Sequence, residues 1–249
     1  MKTVLVAIFA SIAVPAMAQN SLGITGSTFD LGVVQDELGE SRVEGGATVD
    51  VAISDVHGFQ GDLRFADTAA GGVGTVAAHL YMAPRAGQKY GLFASVSDID
   101  GRAMTWGSVG AEGMISLSFE TTLEGQAGIG FASDGGLDYI FASAGVSHAY
   151  SPTLEIEATL DLAEFDEPSL RAISYEAGVK ATYSPEGAPW GVYASLSHAG
   201  LSGRDGQNGE TRLGLGLTMT FGNSGSVTPN SRPFRSVDPV APLLRRNLW

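Results

Sequence analysis

The 249-residue sequence has no cysteine, and only 16 % of its residues are charged. Without cysteine there are no disulfides, no thiolate zinc sites and no cysteine nucleophiles. Bases are scarce: 14 Lys and Arg stand against 27 Asp and Glu, a formal net charge of −13. So acidic a chain lacks the basic footprint that nucleic acid requires. Sparse charge beside 34 glycines excludes a coiled coil, and 44 % hydrophobic residues argue against wholesale disorder. No long apolar run occurs after residue 18, so no transmembrane helix is expected there.

The first eighteen residues read as an address. Lys2 supplies a positive n-region, Val4–Val14 an apolar h-region, and Ala16-Met17-Ala18 a small-x-small cleavage site. This is the three-part secretory pattern. The mature chain is expected to begin near Gln19. Exported small domains often use disulfides, so this one has to be held together otherwise.

What the rest of the chain has is alternation. Leu213, Leu215, Leu217, Met219 and Phe221 fall on one face of a strand, and Arg212, Gly214, Gly216, Thr218 and Thr220 on the other. Residues 154–162 and 173–183 repeat the pattern. Twelve such segments are expected, near 21–32, 42–54, 58–66, 74–83, 89–98, 103–118, 121–132, 137–150, 153–164, 170–183, 189–200 and 211–221. Turn signals such as Pro84-Arg85-Ala86-Gly87, Asp134-Gly135-Gly136 and Ser184-Pro185-Glu186-Gly187 separate them. The Gly-rich stretch 103–118 is long enough to hide a bulge. Residues 19–221 give roughly 17 per strand and connection, against the about 9–11 that a membrane strand needs; ten or fourteen strands also fit.

A soluble sandwich alternates too. Two features point to a membrane barrel instead. If the N-terminus is periplasmic, the outward residues at that rim are Phe59, Met82, Tyr90, Phe119, Tyr150, Tyr183, Trp190 and Phe221, a girdle at headgroup level. The opposite face carries charge at mid-strand height: Glu44, Asp50, Asp62, Arg64, His79, Glu112, Glu124, Glu155, Glu157, Asp161, Glu176, Lys180 and Arg212. Apolar outside and polar inside is the outer-membrane pattern, and closure satisfies every strand edge.

Over residues 20–221 the chain resembles a bacterial outer-membrane β-barrel, similar to small porin-like proteins. The carriers are the signal peptide, the strand LGLGLTMTF ending at Phe221, and alternating segments such as TLEGQAGIGF joined by short turns. The resemblance implies an all-β, antiparallel, up-and-down transmembrane barrel in the bacterial outer membrane. It implies outer-membrane lipid as surroundings, and the barrel-assembly machinery and periplasmic chaperones as partners during biogenesis. Such proteins usually end at the aromatic residue of the last strand; here 28 residues follow Phe221, and Trp249 is itself terminal.

The expected outer loops, near Val33–Ser41, Asp67–Val73, Asp98–Arg102, Ser133–Gly136, Glu164–Ser169 and Gly203–Glu210, are short and acidic. None can fold as a receptor or adhesin domain. The tail, residues 222–249, is rich in Pro and Ser and carries Arg232, Arg235, Arg245 and Arg246 against Asp238. Its composition predicts a disordered periplasmic tail. The alternative is that its arginines enter the acidic lumen or contact a periplasmic partner.

Chemistry is thin. Ser147-His148 and Ser197-His198 are adjacent pairs whose side chains point to opposite faces, which spoils a nucleophile–base pair and argues against an enzyme. Asp98-x-Asp100-Gly101 and the segment Asp205–Glu210 lack a full calcium ligand set and read as turns. No metal or cofactor is expected. The inward carboxylates carry the functional reading. Nine acids face the three permanent bases Arg64, Lys180 and Arg212 and cannot all pair with them. The excess implies a water-filled, cation-preferring lumen or a basic plug. The expectation is a porin-like passive channel for small cationic or neutral solutes. The alternative is a non-conducting structural or interaction barrel using its periplasmic tail.

Overall fold

The computed structural model describes residues 23–133, 137–168, 170–222 and 227–246; the expected signal peptide, the turn Asp134-Gly135-Gly136 and Trp249 lie outside these described residues. Twelve strands follow in order: β1 (Ile24–Asp36), β2 (Ser41–Ala52), β3 (His57–Thr68), β4 (Gly71–Arg85), β5 (Gln88–Ile99) and β6 (Thr105–Ser116). Then come β7 (Thr121–Ala132), β8 (Asp138–Ser151), β9 (Leu154–Asp166), β10 (Arg171–Tyr183), β11 (Trp190–Ser202) and β12 (Gln207–Gly222). Each strand pairs antiparallel with its sequence neighbour, and β1 closes on β12 from Gly26↔Gly222 to Asp36↔Arg212. Closure leaves no free strand edge.

Period-2 patterning sets which side faces the lumen. On β12, Leu213, Leu215, Leu217 and Met219 are all exposed outward, whereas Arg212 is buried. The same holds around the wall: Leu63, Val76, Leu92, Ile129, Ile140 and Leu196 face out, and Gln60, Asp62, His79, Lys89, Ser108 and Glu157 are buried inside. An apolar outer band of this extent would be an aggregation hazard in water and is the correct surface in lipid.

The strand boundaries differ most from the sequence expectation at two places, by four residues each. β1 runs on to Asp36 because its ladder with β2 continues to Gln35↔Ser41. β12 starts at Gln207, where it still pairs with Leu201, so the loop expected at Gly203–Glu210 is shorter. The stretch expected to hide a bulge does not contain one: β6 holds continuous register with both neighbours. Gly110 in this stretch and Gly128 on the neighbouring β7 serve packing. A Cβ at Gly110 would lie 2.8 Å from the Phe93 ring, and one at Gly128 would lie 2.9 Å from the Phe141 ring. Bare backbone there lets two inward rings lie flat on the wall. Register shifts occur elsewhere, for example between Met82 and Arg85 and between Ala149 and Ser151.

The near rim of the barrel carries Ile24 and Gly222 and the tight turns, such as Ala86-Gly87 between β4 and β5, where Gly87 has φ 83°. The far rim carries the turns after β1, β3, β5, β7, β9 and β11.

Candidate functional site

The lumen is occupied by the chain's own tail. Beyond Gly222, Val227 sits at the near rim, where the Thr122 hydroxyl donates to its carbonyl at 2.6 Å. The Lys89 ammonium donates to the Arg232 carbonyl at 3.0 Å. Gln60 then brackets Phe234: its carboxamide oxygen accepts the Phe234 N–H at 2.8 Å and its nitrogen donates to the Phe234 carbonyl at 2.9 Å. Gln126 donates to the Arg235 carbonyl at 2.6 Å. Further along, the Trp106 indole N–H donates to Asp238 at 3.1 Å. A one-turn helix, α1 (Ala241–Arg245), ends the described tail. With Val240, its Leu243 and Leu244 are fully buried against Met104, Trp106, Leu137, Phe165, Ala172 and Leu201 close to the far rim.

The tail therefore crosses the barrel from one rim to the other. The disorder expected from its composition is corrected over residues 227–246. Segments poor in apolar residues fail to fold by themselves, but this one borrows the barrel wall as its core.

Wall carboxylates hold the tail arginines. Arg232 pairs with Glu155 and, at 2.9 Å, with Glu157. Arg235 pairs with Asp161 at 2.8 Å, while Glu124 accepts its backbone N–H at 2.8 Å. Arg245 reaches Glu176 at 2.7 Å, and Arg246 lies 3.9 Å from Glu210. Guanidinium–carboxylate pairs are the strong form of this contact, and in a desolvated lumen each carboxylate needs such a partner.

The remaining sequence-identified lumen residues pair with the wall itself. His79 sits between Glu112 at 2.8 Å and Asp62 at 3.2 Å. Asp50 accepts from the Tyr81 hydroxyl at 3.1 Å and lies 3.9 Å from Lys89. Arg64 pairs with Asp30 at 3.5 Å, Lys180 with Glu157 at 3.2 Å, and Arg212 approaches Glu44 at 4.0 Å. Sequence reading missed Lys89, Asp30 and Glu210 as lumen groups. Lys89 was legible, because it has the parity opposite to outward Tyr90.

Beside the tail lies a cavity of about 510 Å³. Its lining runs from Ser184 and Thr220 near one rim to Thr68 and Val73 near the other, past Asp30, Glu44, Arg64, Lys180 and Tyr193. Three of its lining side chains are wet, Glu44 at 38 % exposed, Arg64 at 39 % and Lys180 at 45 %, whereas His79, which also lines it, is 1 % exposed.

The residues assigned to the aromatic girdle, Phe59, Tyr90, Phe119, Tyr150, Tyr183, Trp190 and Phe221, are exposed on the outer surface towards the near rim. Phe221 meets Phe29 edge-on at 6.3 Å, across the seam of closure. At the far rim, hydrogen bonds from Arg204 hold the Asp205 carboxyl below its ordinary value, and Thr211 does the same for Glu37. His57 does meet a serine, at 3.0 Å from Ser54, but that oxygen also accepts the His57 and Val56 N–H groups and caps a turn.

No family model matches the chain, and no curated protein does. Solved structures do. The NanC porin superposes with a TM-score of 0.59 at 7 % identity, covering 77 % of this chain and 98 % of its own. The KdgM porin gives 0.56 at 11 % identity, covering 78 % and 99 %. An outer-membrane channel from Pseudomonas putida F1 gives 0.55 at 11 % identity, covering 82 % and 100 %. Identities this low establish the fold. It is the closed, twelve-strand, porin-like form of the bacterial outer-membrane β-barrel.

Proposed function

We propose that the protein is a passive outer-membrane channel for small cationic or neutral solutes, narrowed by its own C-terminal tail. The observation that carries this reading is the cavity of about 510 Å³ beside the tail, whose lining extends from rim to rim. A tail that filled the bore would leave no such cavity. The names of the similar structures, two porins and a channel, support the same reading. Support for cation preference comes from the acidic stretches at the far rim, Asp36–Glu40, Asp98–Asp100 and Glu164–Glu167. Clustered acids at a pore mouth raise the local cation concentration. In this reading the near rim faces the periplasm, the outward aromatics sit at headgroup level, and Phe221 is offered to the assembly machinery.

The test is single-channel recording of the refolded full chain in a planar bilayer under a salt gradient. Small steps with a cation-selective reversal potential are expected. Replacing Glu155→Gln with Glu157→Gln strips two carboxylates from around Arg232 and should lower that preference; unchanged selectivity would count against the lumen assignment. A second reading, a non-conducting structural barrel, is favoured by the dry cluster around Leu243 and Leu244. Silence from protein shown to be folded would select it.

A further inference from the structure

The contacts that hold the tail are of two kinds, and only one is what a simple plug needs. Packing of Leu243 and Leu244 would suffice to keep a strap in place. Upstream of them the wall reads a peptide. A closed barrel has no strand edge to offer an incoming chain, so side chains have to take over the backbone recognition that sheets usually supply. Gln60 does this for both backbone groups of Phe234, and Gln126 and Lys89 do it for the carbonyls of Arg235 and Arg232. Side-chain seats accompany the backbone contacts. The Phe234 ring stacks on His79 at 5.9 Å and 10°, with the Lys89 ammonium 4.6 Å from its centre. Carboxylates on β9 take the arginine on either side.

Several of the seats also have wall partners of their own. His79 is fixed by Asp62 and Glu112, both of them wall residues. Gln60 donates to Asp62 at 3.0 Å, and Lys180 pairs with Glu157 at 3.2 Å. The cavity is lined by His79, Gln126, Glu157 and Asp161 as well as by Arg232, Phe234 and Arg235, so a solute in it meets seat residues of the wall beside the tail.

From this we propose that the inner wall spanning β3 to β9 is a peptide-binding site. Its ligands are short cationic peptides that place an aromatic side chain between two arginines. Tail residues 232–236, Arg-Pro-Phe-Arg-Ser, are its resident occupant. The site deepens the channel reading and rests on the lumen being reachable, as that reading holds. An intramolecular occupant competes at an effective concentration on the order of millimolar for a short linker, so a free peptide exchanges with it only once the tail is weakened.

Two full-length variants loosen the tail at different points: Arg232→Gln with Arg235→Gln, and Leu243→Asp with Leu244→Asp. Each also carries Ser236→Cys, which introduces the sole thiol of the chain. Maleimide labelling of that thiol reports that the tail has left the wall. The probe is a fluorescent peptide, Ser-Arg-Pro-Phe-Arg-Ser-Val, compared by anisotropy in micelles with its counterpart bearing Gln for both arginines. The arginine peptide should bind the tail-freed protein about tenfold more tightly than the glutamine peptide. Adding Gln60→Ala, which removes no charge, should weaken it severalfold. Equal binding of the two peptides to protein with a reactive thiol would overturn the proposal. So would a thiol that stays shielded in both variants, since the tail would then be permanent wall. Conductance of the same samples separates the two readings. Peptide selectivity without conductance removes the channel and keeps the site, and conductance without peptide selectivity does the reverse.

Discussion

The lumen has two halves built from the same kind of strand. On β4 to β9 the inward side chains are large and aromatic, including Tyr81, Phe93, Trp106, Tyr139, Phe141 and Phe165, and charge there is desolvated and paired. On β10 to β12 and β1 to β3 the inward positions include Thr28, Thr48, Ser195, Thr218 and Thr220, with Glu44, Arg64 and Lys180 partly in water; Tyr193 also points in here, and Gln60 and Asp62 on β3, at the border of the two halves, are buried against the tail. The first half makes most of the tail's contacts, and the cavity lies along the second. Counting charge does not separate them, because both are ionic. What separates them is the size of the neutral residues between the charges. Rings, with the long amides Gln126 on β7 and Gln60 on the bordering β3, reach far enough across the bore to meet a second segment, and threonine and serine stop short.

The largest effect should come from Arg235→Gln. It leaves Glu124 and Asp161, on the dry side, without their guanidinium. Breaking a buried pair costs about 3–5 kcal/mol. The loss should appear as a lower urea midpoint for the Trp106 environment, which the tail touches through Asp238. Next comes Leu244→Ala, fully buried in the far cluster, for which a cavity-forming truncation costs about 2–5 kcal/mol by the same readout. In the wet half, Arg64→Ala and Lys180→Ala should each change stability by less than about 1 kcal/mol. They should instead move the reversal potential further towards cations. Equal destabilisation by Arg64→Ala and Arg235→Gln would erase the distinction between the halves.

The smallest effect concerns pH at the far rim. Asp205 and Glu37 have folded-state values below the ordinary 3.8 and 4.5, so their contribution is present above those values and is lost as the pH falls through the lowered ones. Protease nicking of the loops after β1 and β11 should therefore be flat from pH 7 to pH 5 and rise only at more acid pH. A rise already at pH 6 would contradict the hydrogen-bond assignment.

Much of the barrel was legible because period 2 is enforced by two unlike solvents, lipid outside and a polar bore inside. Leu213 to Phe221 could hardly be read otherwise. The tail's destination was not legible from composition, since Pro, Ser and Arg signal disorder when a segment is taken alone. Its burial depends on the wall, and two local signs of this were present. The run Val240-Ala241-Pro242-Leu243-Leu244 is apolar within a polar tail, and the inward aromatics cluster on adjacent strands rather than around the ring. Inward glycines opposite those aromatics read as flexibility or a bulge in one dimension, and as room for a ring in three. Lys89 was overlooked although its parity matched; it joins the tail backbone to Asp50.

The account stands on the tail lying along one side of the bore. The most direct measurement compares single-channel conductance of the full chain with that of Arg232→Gln, Arg235→Gln in the same bilayers and salt. Small steps from the parent and steps severalfold larger from the variant are predicted, because releasing the tail opens the dry half. Steps of the same size from both, with the variant folded and its tail shown to be released, would contradict it.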